Sequence, residues 1–172
     1  ARGKMKEPTR SRPYWPDAMG TPPDSVKGLK PWSWALQRLE NSHNYWIATS
    51  RADARPHLMV VWGIWLEDAF WFSTGLRTRK MKNLQAHPEC VIGTDNASEA
   101  VIVEGAATVI DDPDARRRVV GIYNKKYGGD LGALLESSGS LILRVEPRVV
   151  FGFDENADDF VQAATRWTFQ ED

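Results

Sequence analysis

The run Pro56–Leu66 constrains this chain more than any other segment. Leu58–Leu66 is apolar at nearly every position and carries Val60, Val61, Trp62 and Trp65. β-Branched and aromatic residues at that density favour a strand, and a strand apolar on both sides calls for cover on both. Glu67-Asp68 then makes a tight turn into a second apolar strand, Ala69–Thr74, as a hairpin requires. One face of the long strand can fill a barrel; the other is expected to meet a helix or a second subunit.

The flanking segments continue in the same style. Tyr45–Ser50 reads as a strand followed by the turn Arg51-Ala52-Asp53-Ala54, and Glu89–Asp95 and Glu99–Ile110 as a pair around Asn96-Ala97-Ser98. Leu141–Val145 and Arg148–Phe153 read as closing strands broken at Pro147. Helices are expected from Pro31 to about Asn41, over Thr78–Ala86, and from Asp111-Asp112-Pro113 to Tyr127. The second stops before His87-Pro88, because the residue before proline avoids the α region. The third has an acidic N-cap, Lys125 and Lys126 in its last turn, and Gly128-Gly129 as its stop. A short helical or irregular piece runs on to Ser140. Six or seven strands joined by hairpins, with three helices, give a mainly β fold: an antiparallel barrel or sandwich with flanking helices. Residues 1–30, with Pro8, Pro13, Pro16, Pro22 and Pro23, read as an extended arm, and residues 31–172 as the folded domain. Tyr14 and Trp15 are expected to tack the arm onto the body or a partner subunit.

The formal net charge of −1 provides no overall field for nucleic acid or an anionic membrane, so any anion must be met locally. Cys90 is the only cysteine, which excludes an intrachain disulfide and fits a small buried hydrophobe in a reducing compartment. With no apolar run of membrane-spanning length and no signal-peptide core, a cytoplasmic protein is expected.

The candidate for a local anion site, the alternative being a solvated basic face on a surface helix, is Arg77-Thr78-Arg79-Lys80-Met81-Lys82. Thr78 is a good N-cap, and it places Arg79 and Lys80 in a first turn where the helix dipole disfavours cations by about 0.3–1 kcal/mol each. Positive charges gathered where free backbone N–H groups already point outward suit a phosphate. Other chemistry is sparse. His43, His57 and His87 are too dispersed for a metal signature, and neither a Gly-x-Ser-x-Gly elbow nor a Walker loop is present. Glu104, among Ile102, Val103 and Gly105, is the best candidate for a buried carboxylate with a structural role. Arg116-Arg117-Arg118 reads as a solvated helix face. Catalytic residues are not identifiable, and no metal is expected.

Taken together, several of these segments resemble one family. Asn44-Tyr45-Trp46-Ile47-Ala48-Thr49, Arg55-Pro56-His57 and Val60-Val61-Trp62-Gly63 are similar to the first hairpin of the pyridoxamine 5′-phosphate oxidase-like, FMN-binding split-barrel family. Phe72-Ser73-Thr74 with Thr78-Arg79-Lys80 has the spacing of that family's phosphate segment, and Asn83-Leu84, Pro88 and Val103-Glu104-Gly105 continue the likeness over about residues 35–155. The resemblance implies a six-stranded antiparallel split barrel that forms a homodimer with cofactor sites at the subunit interface. By the same analogy Thr74, Thr78, Arg79 and Lys80 hold a flavin phosphate, and Ser73 lies near the ribityl chain. Met59, Val60, Val61 and Trp62 line the isoalloxazine, partly through backbone groups. His57 begins a strand whose end would face the flavin, and reads either as a contact to cofactor or substrate or as a solvent-facing strand end; Arg166 and Trp167 are the expected C-terminal anchor to the cofactor. The oxidase's strand-two arginine and distal lysine have no counterparts, Met59 and Gly63 standing nearby, and its C-terminal Arg and His pair is not recognisable. Vitamin B6 oxidation is therefore not expected. The expectation is a flavin oxidoreductase moving two electrons between FMN and a small molecule. The alternatives are a reductase using the 8-hydroxy-5-deazaflavin coenzyme and a non-catalytic protein that stores or senses flavin or haem.

Overall fold

The computed structural model describes residues 7–14, 26 and 28–169. Trp15, Pro16, Pro22 and Pro23 of the expected arm lie outside the described residues. The apolar hairpin forms as its sequence dictates, with β3 (Pro56–Leu66) turning through Glu67 and Asp68 into β4 (Ala69–Gly75). Both turn residues have positive φ, 52° and 56°, the handedness that matches the twist of the flanking strands.

β3 is shared between two neighbours. Its first half, Pro56–Trp62, pairs with β2 (Asn44–Ser50), and only Gly63–Leu66 pairs with β4. β2 continues to β5 (Glu89–Thr94), then β6 (Glu99–Val109), then β7 (Ser140–Asp154), which returns to β4 and closes a six-strand antiparallel barrel. β8 (Thr165–Thr168) adds to the far half of β7, and β1 (Thr9–Ser11) adds to β8. This ladder, with Arg12 donating to Gln162 O and Lys30 bonded to Thr165 and Asp154, ties the described part of the N-terminal region to the body. Tyr14, expected to help, is 88 % exposed.

The two expected closing strands are one. β7 runs through Pro147 because the β6–β7 register shifts there: Glu104 faces Val149 while Gly105 faces Pro147, which leaves Arg148 as an extra residue on β7. The bulge removes the need for a ladder donor at Pro147. Glu104, expected to be buried, points outward and is exposed, since its neighbours Val103 and Gly105 take the inward positions of the alternating strand.

The barrel interior is filled by Tyr45, Ile47, Phe70, Phe72, Val103 and Trp167, and α1 (Trp32–Asn41) covers it with Trp32, Ala35 and Leu39. On the outer surface Ile64, Trp71 and Ile142 meet α3 (Pro113–Tyr127) and α4 (Leu131–Ser138) through Val119, Tyr123, Leu131 and Leu135. α3 starts where Asp112 accepts hydrogen bonds from Asp114 N and Ala115 N, and stops at Gly128 with φ 66°. α2 (Arg79–Ala86) follows β4, and α5 (Phe160–Ala163) precedes β8. Cover of the long strand is incomplete in the single chain. Leu58, Val60 and Trp62, with Trp46 beside them, are 45–57 % exposed.

Candidate functional site

The change of partner along β3 leaves a gap in the barrel wall. In an antiparallel strand, successive residues send their N–H and C=O groups to opposite edges. Leu66 and Ala69 close the hairpin, so even-numbered residues of β3 aim their main-chain groups toward β4. Gly63 fits this alternation, using its N–H and C=O on the other edge. Ile64 and Leu66 are paired there, but Leu58, Val60 and Trp62 have no strand partner on that edge among the described residues. The end of β4 has already turned away, with Ser73, Thr74 and Gly75 pairing with Ile142, Leu141 and Ser140 of β7. A slot with free main-chain donors and acceptors on one wall results.

α2 begins just after the end of β4. Thr78 Oγ1 accepts from Met81 N at 3.2 Å and lies 2.9 Å from Thr74 Oγ1, which fixes the helix start to the strand end. Asn83 Nδ2 donates to Thr49 Oγ1 at 2.9 Å, a buried bond that holds α2 against β2. Thr49 is the cross-strand partner of His57. Three stretches distant in sequence thereby converge. Burial, with Arg51, Lys80 and Arg79 nearby, holds the His57 imidazole below its ordinary pKa. Burial also lowers the pKa of the Lys80 ammonium. His57 Nδ1 and Arg51 Nε are buried without a hydrogen-bond partner. Arg51, Arg77, Arg79, Lys80 and Lys82 have no acidic partner among the described residues. Uncompensated cations at a helix N-terminus, with polar atoms left unsatisfied beside them, form a mouth suited to an anion.

Of the residues singled out from the sequence, Thr74, Thr78, Arg79, Lys80 and His57 come together here. Met59 is 46 % exposed and its main chain is paired with Ile47 of β2, whereas Val60 and Trp62 turn theirs to the edge without a strand partner. Ser73 is half-buried on the outer side of β4. Three residues stand elsewhere. Val61 faces the barrel core at 7 % exposure and its main chain is paired with Tyr45, so it reaches the slot by neither route. Trp167 is fully buried, its ring 5.6 Å from Trp32 and stacked on Trp34; it anchors the core and has no surface for a cofactor. Arg166 pairs with Phe151, whereas Thr74 pairs with Leu141. Within one chain they are separated by roughly 30 Å of strand at about 3.3 Å per residue. Arg51 was missed: it occupies a turn, and only the β2–β3 register brings that turn beside the helix start.

A second polar network borders the slot at Gly63. Lys126 Nζ donates to Ser42 O (2.6 Å), Tyr45 Oη (2.9 Å) and Gly63 O (3.0 Å). Tyr127 Oη accepts from Gly63 N (2.9 Å) and shares its proton between the carbonyls of His43 (2.6 Å) and Gly63 (2.8 Å). The Tyr127 ring stacks on Trp62 at 4.5 Å and 3°. Among the described residues no cluster of His, Cys, Asp and Glu could hold a metal, and no helix is long and apolar enough to cross a membrane.

A closed six-strand barrel with flanking helices, parted along the unpaired stretch between β3 and β4, defines a protein of the split-barrel class. The chain belongs to the pyridoxamine 5′-phosphate oxidase family, whose sequence model matches residues 35–154. Solved structures of like fold include the conserved protein Rv2991 from Mycobacterium tuberculosis, at 20 % identity and TM-score 0.66 over 74 % of this chain and 86 % of that one. An F420 reductase matches at 22 % identity and TM-score 0.53, covering 66 % and 93 % of the two chains. HutZ, the haem storage protein from Vibrio cholerae, matches at 14 % identity and TM-score 0.57, covering 68 % and 87 %. These likenesses are at the level of fold, and the fold therefore spans reductases and haem-binding proteins. No curated protein matches the sequence.

Proposed function

We propose that the protein binds a phosphate-bearing flavin, FMN in the first instance, and serves as an oxidoreductase moving two electrons to or from a small molecule. The observation that carries this reading is the mouth itself, where Arg79, Lys80 and Arg51 have no acidic partner among the described residues and His57 Nδ1 is buried and unsatisfied. A phosphate supplies both the charge and the acceptor oxygens that such a mouth lacks. Thr74, Thr78, Arg79 and Lys80, with His57 and Arg51, would hold it, and Ser73 would lie toward the ribityl chain. The unpaired main-chain groups of Leu58, Val60 and Trp62 would meet the polar edge of the ring. Bound there, the flavin would supply the hydride chemistry, while the chain supplies position, a dry wall and electrostatics. The exposed apolar face of Trp46, Leu58, Val60 and Trp62 supports a homodimer that covers the slot. The oxidase's own vitamin substrate is not proposed.

The test is an absorption spectrum of the purified protein, identification of any small molecule released on denaturation, and parallel titration with FMN and the 8-hydroxy-5-deazaflavin coenzyme. Arg79→Ala with Lys80→Ala should weaken FMN binding at least about 100-fold while leaving the fold intact, since two charge-assisted bonds of about 1.5–3 kcal/mol each are lost. Unchanged retention in that variant would overturn the site. Tight binding of the deazaflavin alone moves the protein to the deazaflavin-dependent reductases. A flavin or haem that binds yet stays inert to every donor makes it a binding or storage protein.

A further inference from the structure

Gly63 sits where β2 has ended and β4 has begun. The next cross-strand position after Asn44–Trp62 would pair His43 with Gly63, but a tyrosine hydroxyl occupies that place. Tyr127 Oη takes the Gly63 N–H and bonds the carbonyls of His43 and Gly63. A side chain from α3 thus stands in for one rung of the ladder. Lys126 braces the same point from the adjacent position, spending all three of its N–H donors on Ser42 O, Tyr45 Oη and Gly63 O. Tyr45 Oη in turn donates to Leu39 O at 2.5 Å, which ties the network to α1. The Tyr127 ring meanwhile covers one face of Trp62.

These contacts converge on the residue pair at which β3 leaves β2. We infer that Tyr127 is a positioning residue: it fixes the Trp62 ring and the 62–63 main chain, and so sets the ring-facing wall of the slot, independently of the phosphate mouth. The inference rests on the flavin reading for the identity of the ring. The clamp is tested without any ligand.

Tyr127→Phe keeps the ring stack and deletes the hydroxyl; Tyr127→Leu removes both. Amide hydrogen exchange of the Trp62–Ile64 segment is measured in the ligand-free proteins, and FMN and riboflavin are titrated into each. Tyr127→Phe is expected to speed exchange at Gly63 and to weaken FMN and riboflavin by the same factor, about tenfold for the bonds lost. The FMN-to-riboflavin affinity ratio then stays at its wild-type value, whereas Arg79→Ala with Lys80→Ala collapses it. Tyr127→Leu should in addition alter Trp62 fluorescence; if it fails to fold, Tyr127→Phe alone decides. Unchanged exchange at Gly63 overturns the clamp whatever the flavins do. Weakening of FMN without riboflavin overturns the independence of clamp and mouth. If the wild type binds neither flavin but exchange still rises in Tyr127→Phe, the clamp is supported and the flavin reading is what falls.

Discussion

His57 shows how the mouth's electrostatics would be read in solution. Burial and the charges of Arg51, Lys80 and Arg79 all disfavour its protonated form and bring its pKa below the ordinary 6.5, so it is neutral at pH 7. A bound dianion offsets those charges and raises the pKa, so the complex holds more protons than the free protein. By linkage, a dianion that does not itself titrate there, such as sulfate, should bind more tightly as pH falls through the interval between the two pKa values. Titrating the imidazole by NMR with and without sulfate checks this; a midpoint that sulfate does not move would count against His57 in the mouth. At this scale Thr78, Arg79 and Lys80 were legible in the sequence because a cap and its first turn are local. Arg51 was not, since its role depends on a cross-strand register. Trp167 misled for a related reason: an Arg-Trp pair in a polar tail reads as an anchor until the barrel core is seen to claim the indole.

Among the elements, β6 and β7 depend most sharply on one backbone position. A Cβ at Gly105 would stand 2.1 Å from Glu146 O, a main-chain atom that cannot step aside. Gly105→Ala should therefore strain the bulge that accommodates Pro147 and destabilise the protein by about 1–3 kcal/mol. A clearly lowered thermal midpoint is the expected result, and an unchanged one would show that β7 does not need the bulge. The helices matched their sequence signals closely, with Thr78, Asp112 and Gly128 at the ends they were expected to mark. Strand partners were harder. The proline in β7 read as a break because the bulge beside it, at Arg148, shows only in the pairing with β6, and the handover of β3 from β2 to β4 leaves no local trace in an evenly apolar run.

For the molecule as a whole, the barrel was legible from its hairpins, while the uncovered half of β3 appeared only once α3 and α4 were seen to cover the other half. The face of Trp46, Leu58, Val60 and Trp62 is an unusual amount of exposed apolar surface for one chain to leave in water. Sedimentation should find a dimer, and Leu58→Glu with Val60→Glu should yield monomers; a wild-type monomer at micromolar concentration would sink this assembly. The alternation of β3 carries one more implication. Leu58, Val60 and Trp62 turn their side chains outward and their peptide groups along the sheet, into the slot. Hydrogen bonding into the slot is thus carried by atoms that every non-proline amino acid shares, and the outer surface by atoms that differ with each substitution. Sequence drift in this segment can redesign what the protein docks against while the polar pattern inside the slot stays the same.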